Sequence, residues 1–575
     1  PPRHKSASAS WLPFYWWLYH PASWFNSEIH NMSSTSRRAF LHRAAAMSSL
    51  GAAAPLALNF GAITRAAAQS TGGSSDYRAL VCIYLNGGND AFNTVLATDS
   101  SSWTHYTNQR RPNDGGNSIA LMPVGTPTDG AAAASRPERL GGVLPISHAG
   151  RAVHATRQFA LHPALPQVQS LYQNGKVAVL ANVGTLTRPT VKADWSNTRQ
   201  SKPAKLFSHN DQQSTWLSFH PEGASEGWGG RMADLLMQRN GVGHDAADAL
   251  VIQRSFTCMT PAGANVWQAG HDVLPYQSSG TGVLSLGSGG QIYGSSSLQN
   301  AVANVMGKLN ADGSPSITAR NAFAADHQKV AQRAFQASGM LSSLFPALGV
   351  APWSTPGVTT PSNDALLKYV SPTSGSLTFN PLAQQLQMVA RLIDANRTAS
   401  LGMKRQFFLV QLGGFDTHTN QIADHAERMA QLNHAMSYFD QVLSNMPSGN
   451  MSAQVTTFTA SEFGRTFTNN GNGTDHGWGG HHLIMGGAVI GTEVYGTFPQ
   501  YSTASSTGVF SSDDQIQNGV LIPTTSVDQY AYTLGRWMGV SDSALQGSYD
   551  GDPNAILPNL RQFNSNSYNL GFMTA

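Results

Sequence analysis

Acidic and histidine side chains gather in one stretch of the chain, Thr456–His482, which reads TTFTASEFGRTFTNNGNGTDHGWGGHH. Its first residues are β-branched or aromatic, which is typical of a buried strand, and Glu462 follows directly after them. A loop rich in glycine and asparagine comes next, and it ends in four potential metal ligands: Asp475, His476, His481 and His482. Because imidazole and carboxylate groups bind zinc, manganese or iron, the stretch predicts a divalent metal site. A solvated polar loop with chance histidines is the alternative.

Two other stretches have the same organisation of an apolar strand, a Gly-Gly pair and then acidic or histidine residues. ALVCIYLNGGND ends at Asp90, and QFFLVQLGGFDTH supplies Asp416 and His418. Open α/β sheets place their chemistry outside the carboxyl ends of the strands. We therefore expect Asp90, Asp416, His418 and Glu462 to share one site with the histidine-rich loop.

Several polar residues could serve this site as catalytic or substrate-binding groups. Asn93 follows Asp90 by three positions and either faces the same ligand or caps a helix. Ser208 begins a helix-compatible run, so its hydroxyl is either an N-cap or a nucleophile. The next residues, His209 and Asn210, are candidate substrate contacts. Arg465 could clamp an anionic group, and a structural salt bridge is the equal alternative.

The composition excludes some classes of function. The chain has 575 residues, a net charge of +3 and only 12% charged residues, which gives no support to nucleic-acid or anionic-membrane binding. Its two cysteines form no disulfide framework.

The first 68 residues predict a targeting region. Residues 1–31, which precede the first methionine, are expected to be upstream read-through or a disordered extension. Ser36-Arg37-Arg38-Ala39-Phe40-Leu41 resembles a twin-arginine export motif, and an alanine-rich stretch leads to a small-residue cleavage pattern near residue 68. We expect export through the twin-arginine machinery to the periplasm or beyond, without a stable membrane span in the mature protein.

Strand-like and helix-like segments alternate through most of the chain, which predicts an α/β fold. Helices are expected at 381–396, at 421–446 and at 526–539, the last with a serine cap. The central sheet should be mostly parallel, with helices on both faces. Residues 235–375 should form a mainly helical and loop insertion that caps the sheet. The whole of 77–570 is expected to be one domain.

Six motifs together resemble the domain of unknown function 1501 family: the twin-arginine leader, LNGGND, LFSHNDQ, GGFDTH, SEFGRT and DHGWGGHH. The resemblance implies an alkaline-phosphatase-like sandwich, an ancestry of sulfatase-like metal hydrolases, and zinc, manganese or calcium as cofactor. It implies acidic ligands at Asp90 and Glu462, an acid–histidine pair at Asp416 and His418, and late ligands at His476 with His481 or His482. The chain departs from the family pattern at Phe463, where a histidine ligand is usual. Ser208 is the first candidate nucleophile and Thr185 the second.

Two functions follow as hypotheses. The first is an exported, metal-dependent hydrolase of small phosphate or sulfate esters. The second is an exported, non-catalytic binding or assembly protein that keeps a structural or vestigial metal site. A metal site with an open coordination position would favour the hydrolase, and a closed site would favour the binding protein.

Overall fold

The three strands that were expected to carry the site lie side by side. In a computed structural model of the chain, strand β1 (Arg78–Leu85) pairs in parallel with β10 (Arg405–Leu412) on one side and with β11 (Val455–Ala460) on the other. The structure describes residues 76–111, 118–197, 202–240, 255–280, 282, 292–306, 322–398 and 402–574. The predicted extension at 1–31 and the predicted signal segment at 32–68 lie outside these residues.

The other strands within the described residues complete one large sheet and two small ones. They are β2 (Val95–Ala97), β3 (Leu144–Ile146), β4 (Phe159–Leu161), β5 (Val177–Gly184), β6 (Cys258–Thr260), β7 (Tyr276–Gln277), β8 (Lys368–Val370), β9 (Leu377–Phe379), β12 (Gly480–Met485), β13 (Val494–Tyr495) and β14 (Thr525–Ser526). The central sheet has the order β13-β5-β12-β11-β1-β10-β6-β7, with β14 also paired to β5. Strands β2, β4 and β3 form an antiparallel sheet, and β8 and β9 form a hairpin.

Strand β12 runs against its neighbours β11 and β5, whereas the other pairs of the described central sheet are parallel. This reversal matters for the site. The loop before β12 enters at the edge where β1, β10 and β11 end, so residues from four segments meet there.

The described α-helices cover both faces of the central sheet. They are α1 (Ala91–Thr94), α2 (Ser100–Arg110), α3 (Pro166–Gln173), α4 (Lys192–Trp195), α5 (His209–Ser218), α6 (Trp228–Leu236), α7 (Ser296–Val305), α8 (Ala322–Leu344), α9 (Pro381–Thr398), α10 (Gln421–Ser444), α11 (Val527–Met538) and α12 (Asp542–Gln546). The helices predicted near 381, 421 and 526 are confirmed. Ser526 caps α11 as expected, in a capping box with Gln529.

Strand β1 shows how the sequence builds two cores. Val81 and Ile83 face the core shared with α3, α9 and α10, while Leu80 and Cys82 face the core shared with α5, α6 and α11. Successive side chains of a strand point to opposite faces, so a strand buried on both sides must be apolar at every position. The predicted α/β fold with a mostly parallel sheet is therefore confirmed.

The segment 235–375, expected to be an insertion that caps the sheet, contributes strands to the sheet. Its strands β6 and β7 extend the central sheet beyond β10, so this part of the segment belongs to the sheet itself. The long helix α8 packs Ala337 and Leu341 into the core. No described helix is long and apolar enough to span a bilayer.

Candidate metal centre

Arg465 holds together the loops that meet at the edge of the sheet. Its guanidinium is fully buried and donates to the carbonyl of Gly88 over 2.8 Å, to that of Phe415 over 3.1 Å and to that of Thr474 over 3.2 Å. It also donates to the carbonyl of Gly87 and to a carboxylate oxygen of Asp416. These partners follow β1, follow β10 and precede β12, so one side chain fixes the relative positions of three loops.

Three histidine side chains surround the carboxylate of Asp416. The distances from its oxygens are 3.0 Å to Nε2 of His418, 3.2 Å to Nε2 of His476 and 3.5 Å to Nε2 of His209. Ligand atoms of His209, Asp416 and His476 all lie within 4.8 Å of one another, a grouping that could hold a metal ion. We call His209, Asp416, His418 and His476 the histidine cluster.

The other ring nitrogen of each histidine has an acceptor. Nδ1 of His209 lies 3.0 Å from the buried carboxylate of Glu462, and Nδ1 of His418 lies 3.2 Å from Asp475. Nδ1 of His476 lies 2.8 Å from the carbonyl of Phe207. Carboxylates and carbonyls only accept hydrogen bonds, so a proton on Nδ1 of each ring satisfies these contacts. Nε2 then faces a second acceptor, the carboxylate of Asp416, and a cation between Nε2 and that carboxylate would relieve the repulsion of their lone pairs.

The Nε2 atoms of the three histidines all face the carboxylate of Asp416. Nε2 of His418 lies 3.1 Å from Nε2 of His476, which is repulsive unless a proton or a cation lies between them. Ligands around a tetrahedral zinc at its usual bond lengths are separated by about 3.3 Å. The separations in the cluster are close to this value, and the donor set of imidazole and carboxylate suits zinc or manganese.

Hydrogen bonds and burial set the charge of the cluster. Partial burial raises the pKa of Asp416, but the hydrogen bond from Arg465 and its positive charge outweigh this and hold the pKa below 3.8. Burial lowers the pKa of His476, which keeps that ring neutral at pH 7. The hydrogen bond to Glu462 raises the pKa of His209 above 6.5, despite the opposing effect of its burial. The cluster therefore presents a carboxylate, a neutral ring and a more basic ring.

Two glycines permit the close approach of these loops. A Cβ atom on Gly87 would lie 2.4 Å from the backbone nitrogen of Asp416, and the φ of +118° at Gly87 disfavours other residues. The N–H of Gly87 also donates to Glu462 over 2.7 Å. A Cβ atom on Gly477 would lie 2.5 Å from the carbonyl oxygen of Arg465. The Gly-Gly turn after β1 thus allows the loop after β10 to pack against it and positions the carboxylate of Glu462.

Asp90, expected as a ligand after β1, lies elsewhere. Its fully buried carboxylate pairs with Arg110 at 2.5 Å, accepts from the side chain of Gln421 at 2.5 Å, and caps helix α1 at the N–H of Phe92. Asn93, expected to face substrate, is buried and bonds to Arg110. Arg110 neutralises the buried carboxylate of Asp90 and also bonds to Asn93, so these two residues belong to a structural network outside the cluster.

His481 and His482 also lie outside the cluster. The histidine-rich loop ends at Gly479, and both residues belong to the buried strand β12. His481 stacks on Phe498 and accepts from the N–H of Asn182, while His482 packs against Trp216. Burial lowers the pKa of each to about 3, so both rings are neutral core groups. In the sequence they follow the glycine-rich segment directly, which is why they appeared to be loop ligands.

The candidate nucleophiles have other partners. The hydroxyl of Ser208 donates to Asp211 over 2.9 Å at the start of helix α5, and that of Thr185 donates to Gln212 over 2.6 Å. Asn210, the second residue of α5, is exposed. Arg465 donates its hydrogen bonds to carbonyls and to Asp416. It therefore positions a residue of the cluster, in place of the anion binding that was considered for it.

The structure adds His209 to the expected acidic and histidine residues. From sequence it was a candidate substrate contact, because no local pattern links it to residues more than two hundred positions away. Phe463 stands where a histidine ligand was expected. Its ring stacks on His476 at 4.6 Å and lies 4.9 Å from the ring of His209. It forms an apolar wall against the rings of His209 and His476.

Comparison with known proteins identifies the family. The family model described as Protein of unknown function (DUF1501) matches residues 77–547. The chain belongs to this family. No curated protein matches this DUF1501 chain. A phosphonate monoester hydrolase, SpPMH from Silicibacter pomeroyi, is similar over 68% of this chain and 72% of that chain, at 10% identity and a TM-score of 0.22. A likeness of that size carries no argument about function.

Proposed function

We propose that this DUF1501 protein is a metal-dependent hydrolase of phosphate or sulfate esters, with zinc or manganese bound by the histidine cluster. One observation carries the proposal: three imidazoles, each fixed at Nδ1 by an acceptor, turn Nε2 toward the same carboxylate. Acceptors at the other ring nitrogen orient histidine ligands in metal sites. The side chain of Asp416 is 45% exposed, so substrate and water can reach the cluster.

The residues of the chain have distinct parts in this proposal. A divalent ion held there would act as a Lewis acid, polarising an ester oxygen and making water more acidic. Glu462 and Asp475 orient the rings of His209 and His418, and Arg465 orients Asp416. Because the hydroxyls of Ser208 and Thr185 are engaged elsewhere, we propose water as the nucleophile. The anionic ester would bind at the exposed side of the cluster.

A second function is favoured by a specific observation. The guanidinium of Arg465 is fully buried and donates to four carbonyls and to Asp416, and neither candidate hydroxyl donates to the cluster. Such a site could bind metal without turnover, as in a binding or assembly protein.

We also propose export by the twin-arginine machinery to the periplasm or outside, on the strength of the Arg37-Arg38 motif. Replacing both arginines with lysine should then leave the protein in the cytoplasm.

The test is metal analysis of the purified protein, by mass spectrometry, alongside two cluster variants and a control. We expect about one equivalent of zinc or manganese in the parent and large losses in Asp416→Asn and His476→Ala. His271→Ala is the matched control, because His271 is exposed and lies outside the cluster. Absence of metal from the parent, or equal metal in parent and cluster variants, would overturn the proposal.

A panel of aryl phosphates and aryl sulfates then separates the two functions. The hydrolase predicts turnover by the metal-loaded parent that falls at least a hundredfold in His476→Ala. Stoichiometric metal without turnover of any ester in the panel would favour the binding protein.

A further inference from the structure

A cavity of about 300 Å³ is lined in part by helix α5, the helix that carries His209. Its other walls come from residues of β1 and β10 and from the loop at 262–266. Tyr84, Gln213, Leu217, Ala264 and Leu409 are among the residues that line it. Its volume lies at the lower end of the range for small-molecule sites, which suits a single ring with its substituents.

The cavity and the cluster share two structural elements. Gln213 lies one helical turn after His209 on α5, so the two side chains occupy the same side of that helix. Gln411 lines the cavity at the end of β10, just before the loop that carries Asp416. Asn86 joins Gln411 over 2.8 Å and Gln213 over 3.4 Å, and the next residue, Gly87, binds Glu462. A molecule held at the cluster would therefore extend into this cavity.

Tyr84 supplies a buried polar group without a partner. Its side chain lines the cavity and is 1% exposed, and its hydroxyl has no hydrogen-bond partner among the described residues. Burial raises its pKa, and the charge of nearby Glu462 adds to this effect, so the hydroxyl stays protonated. An unpaired buried hydroxyl costs free energy, which a ligand with a matching polar group would recover.

The lining favours a neutral ligand. Among the described lining residues there is no lysine or arginine, and the one charged side chain is the carboxylate of Glu222. The polar groups are mainly amides and hydroxyls, which can donate and accept, as sugar hydroxyls also do. A second anionic group would meet Glu222 without a compensating cation.

We propose that this cavity binds the alcohol part of the ester, a neutral, hydroxyl-rich ring of the size of one sugar. The assignment to an ester rests on the proposed function, whereas binding of the ring itself does not. The substrate would then carry one anionic group at the cluster and a sugar-like group between α5 and the 262–266 loop.

Binding is tested first, without turnover, by saturation-transfer NMR with glucose as the probe and 4-nitrophenol as the comparison. We expect a glucose signal from the parent that is strongly reduced in Tyr84→Phe and in Ala264→Trp, which fills the mouth of the cavity. Val124→Trp is the matched control, because Val124 lines a different cavity, of about 780 Å³. No glucose signal from the parent, equal signals from all variants, or a preference for 4-nitrophenol would overturn the proposal.

Kinetics then place the cavity in the substrate site. For Tyr84→Phe we expect kcat/KM for glucose 6-phosphate to fall about threefold to tenfold, the worth of one neutral hydrogen bond, with 4-nitrophenyl phosphate unchanged. Thermal stability should not fall, because the hydroxyl has no partner to lose. An equal change for both esters would overturn the proposal. Glucose binding with no hydrolysis of either ester would support the sugar site and overturn only the hydrolase function.

Discussion

Replacing Arg465 with methionine should destabilise the fold by about 3–5 kcal/mol, because it leaves several buried carbonyl groups without a donor. The substitution keeps the approximate length of the side chain and removes every donor. It removes this donor from four buried carbonyl groups: that of Phe415 keeps the N–H of Thr417, whereas those of Gly87, Gly88 and Thr474 lose their described donor. Each unsatisfied acceptor costs about 1–3 kcal/mol, and relaxation of the loops recovers part of the sum.

The carboxylate of Asp416 adds little to that figure. Its side chain is 45% exposed, so solvent screens its charge after the arginine is lost. Arg465→Lys should fall between the parent and Arg465→Met, at about 2 kcal/mol, because an ammonium group has three donors for five acceptors. Metal content should fall in both variants, since the loops that carry the ligands lose their common anchor.

The assay is urea denaturation followed by tryptophan fluorescence, with Arg536→Met as the control. Arg536 pairs with Asp542 at 3.0 Å on the surface, where the two side chains are 47% and 45% exposed, so its loss should cost less than about 1 kcal/mol. The reasoning is refuted if Arg465→Met unfolds within about 1 kcal/mol of the parent. It is also refuted if metal content stays unchanged in that variant.

Three further predictions follow from particular residues. Asp90→Asn should lower the free energy of unfolding by about 3–5 kcal/mol, because it leaves the buried charge of Arg110 unpaired. The folded variant should keep its metal. Loss of metal with unchanged stability would show that Asp90 is a ligand after all. Gly87→Ala should lower the free energy of unfolding, measured by urea denaturation, by more than about 3 kcal/mol, because of its left-handed backbone and its clash with the loop after β10. The control Gly571→Ala, at a φ of +78° with no atom within 4 Å of the added Cβ, should lower it by about 1–2 kcal/mol. Equal losses in the two variants would contradict the close approach at Gly87. His482→Met should weaken the fall of stability with pH between about 6.5 and 3. The pKa of the buried ring is about 3 in the folded protein against 6.5 in the unfolded chain, so the unfolded chain binds one more proton in this window and the free energy of unfolding falls by about 1.4 kcal/mol per pH unit as the pH falls. The variant should lack this contribution, and an unchanged slope in urea denaturation would show that the ring is accessible.

The helices and strands that flank the site are predictable from local sequence. The strands β1 and β10, which are buried on both faces, are mostly apolar, and that composition is visible in the sequence. The convergence of the strand ends after β1, β10 and β11 also followed from the sequence, because parallel strands end at one edge. The edge strands β6 and β7 did not, since short strands in a loop-rich segment carry too few residues to show a pattern.

The sequence by itself determined the chemistry that is present: an acid–histidine pair at Asp416 and His418, a carboxylate at Glu462, and a loop that delivers His476. The tertiary structure alone decided which of these groups meet. The reversed direction of β12 brings the loop to the site and draws His481 and His482 into the core. Helix α5 adds His209 across more than two hundred residues, and Arg110 withdraws Asp90 into a buried ion pair. Residue types are local information, whereas the distances that make a metal centre depend on contacts between segments that are distant in the chain.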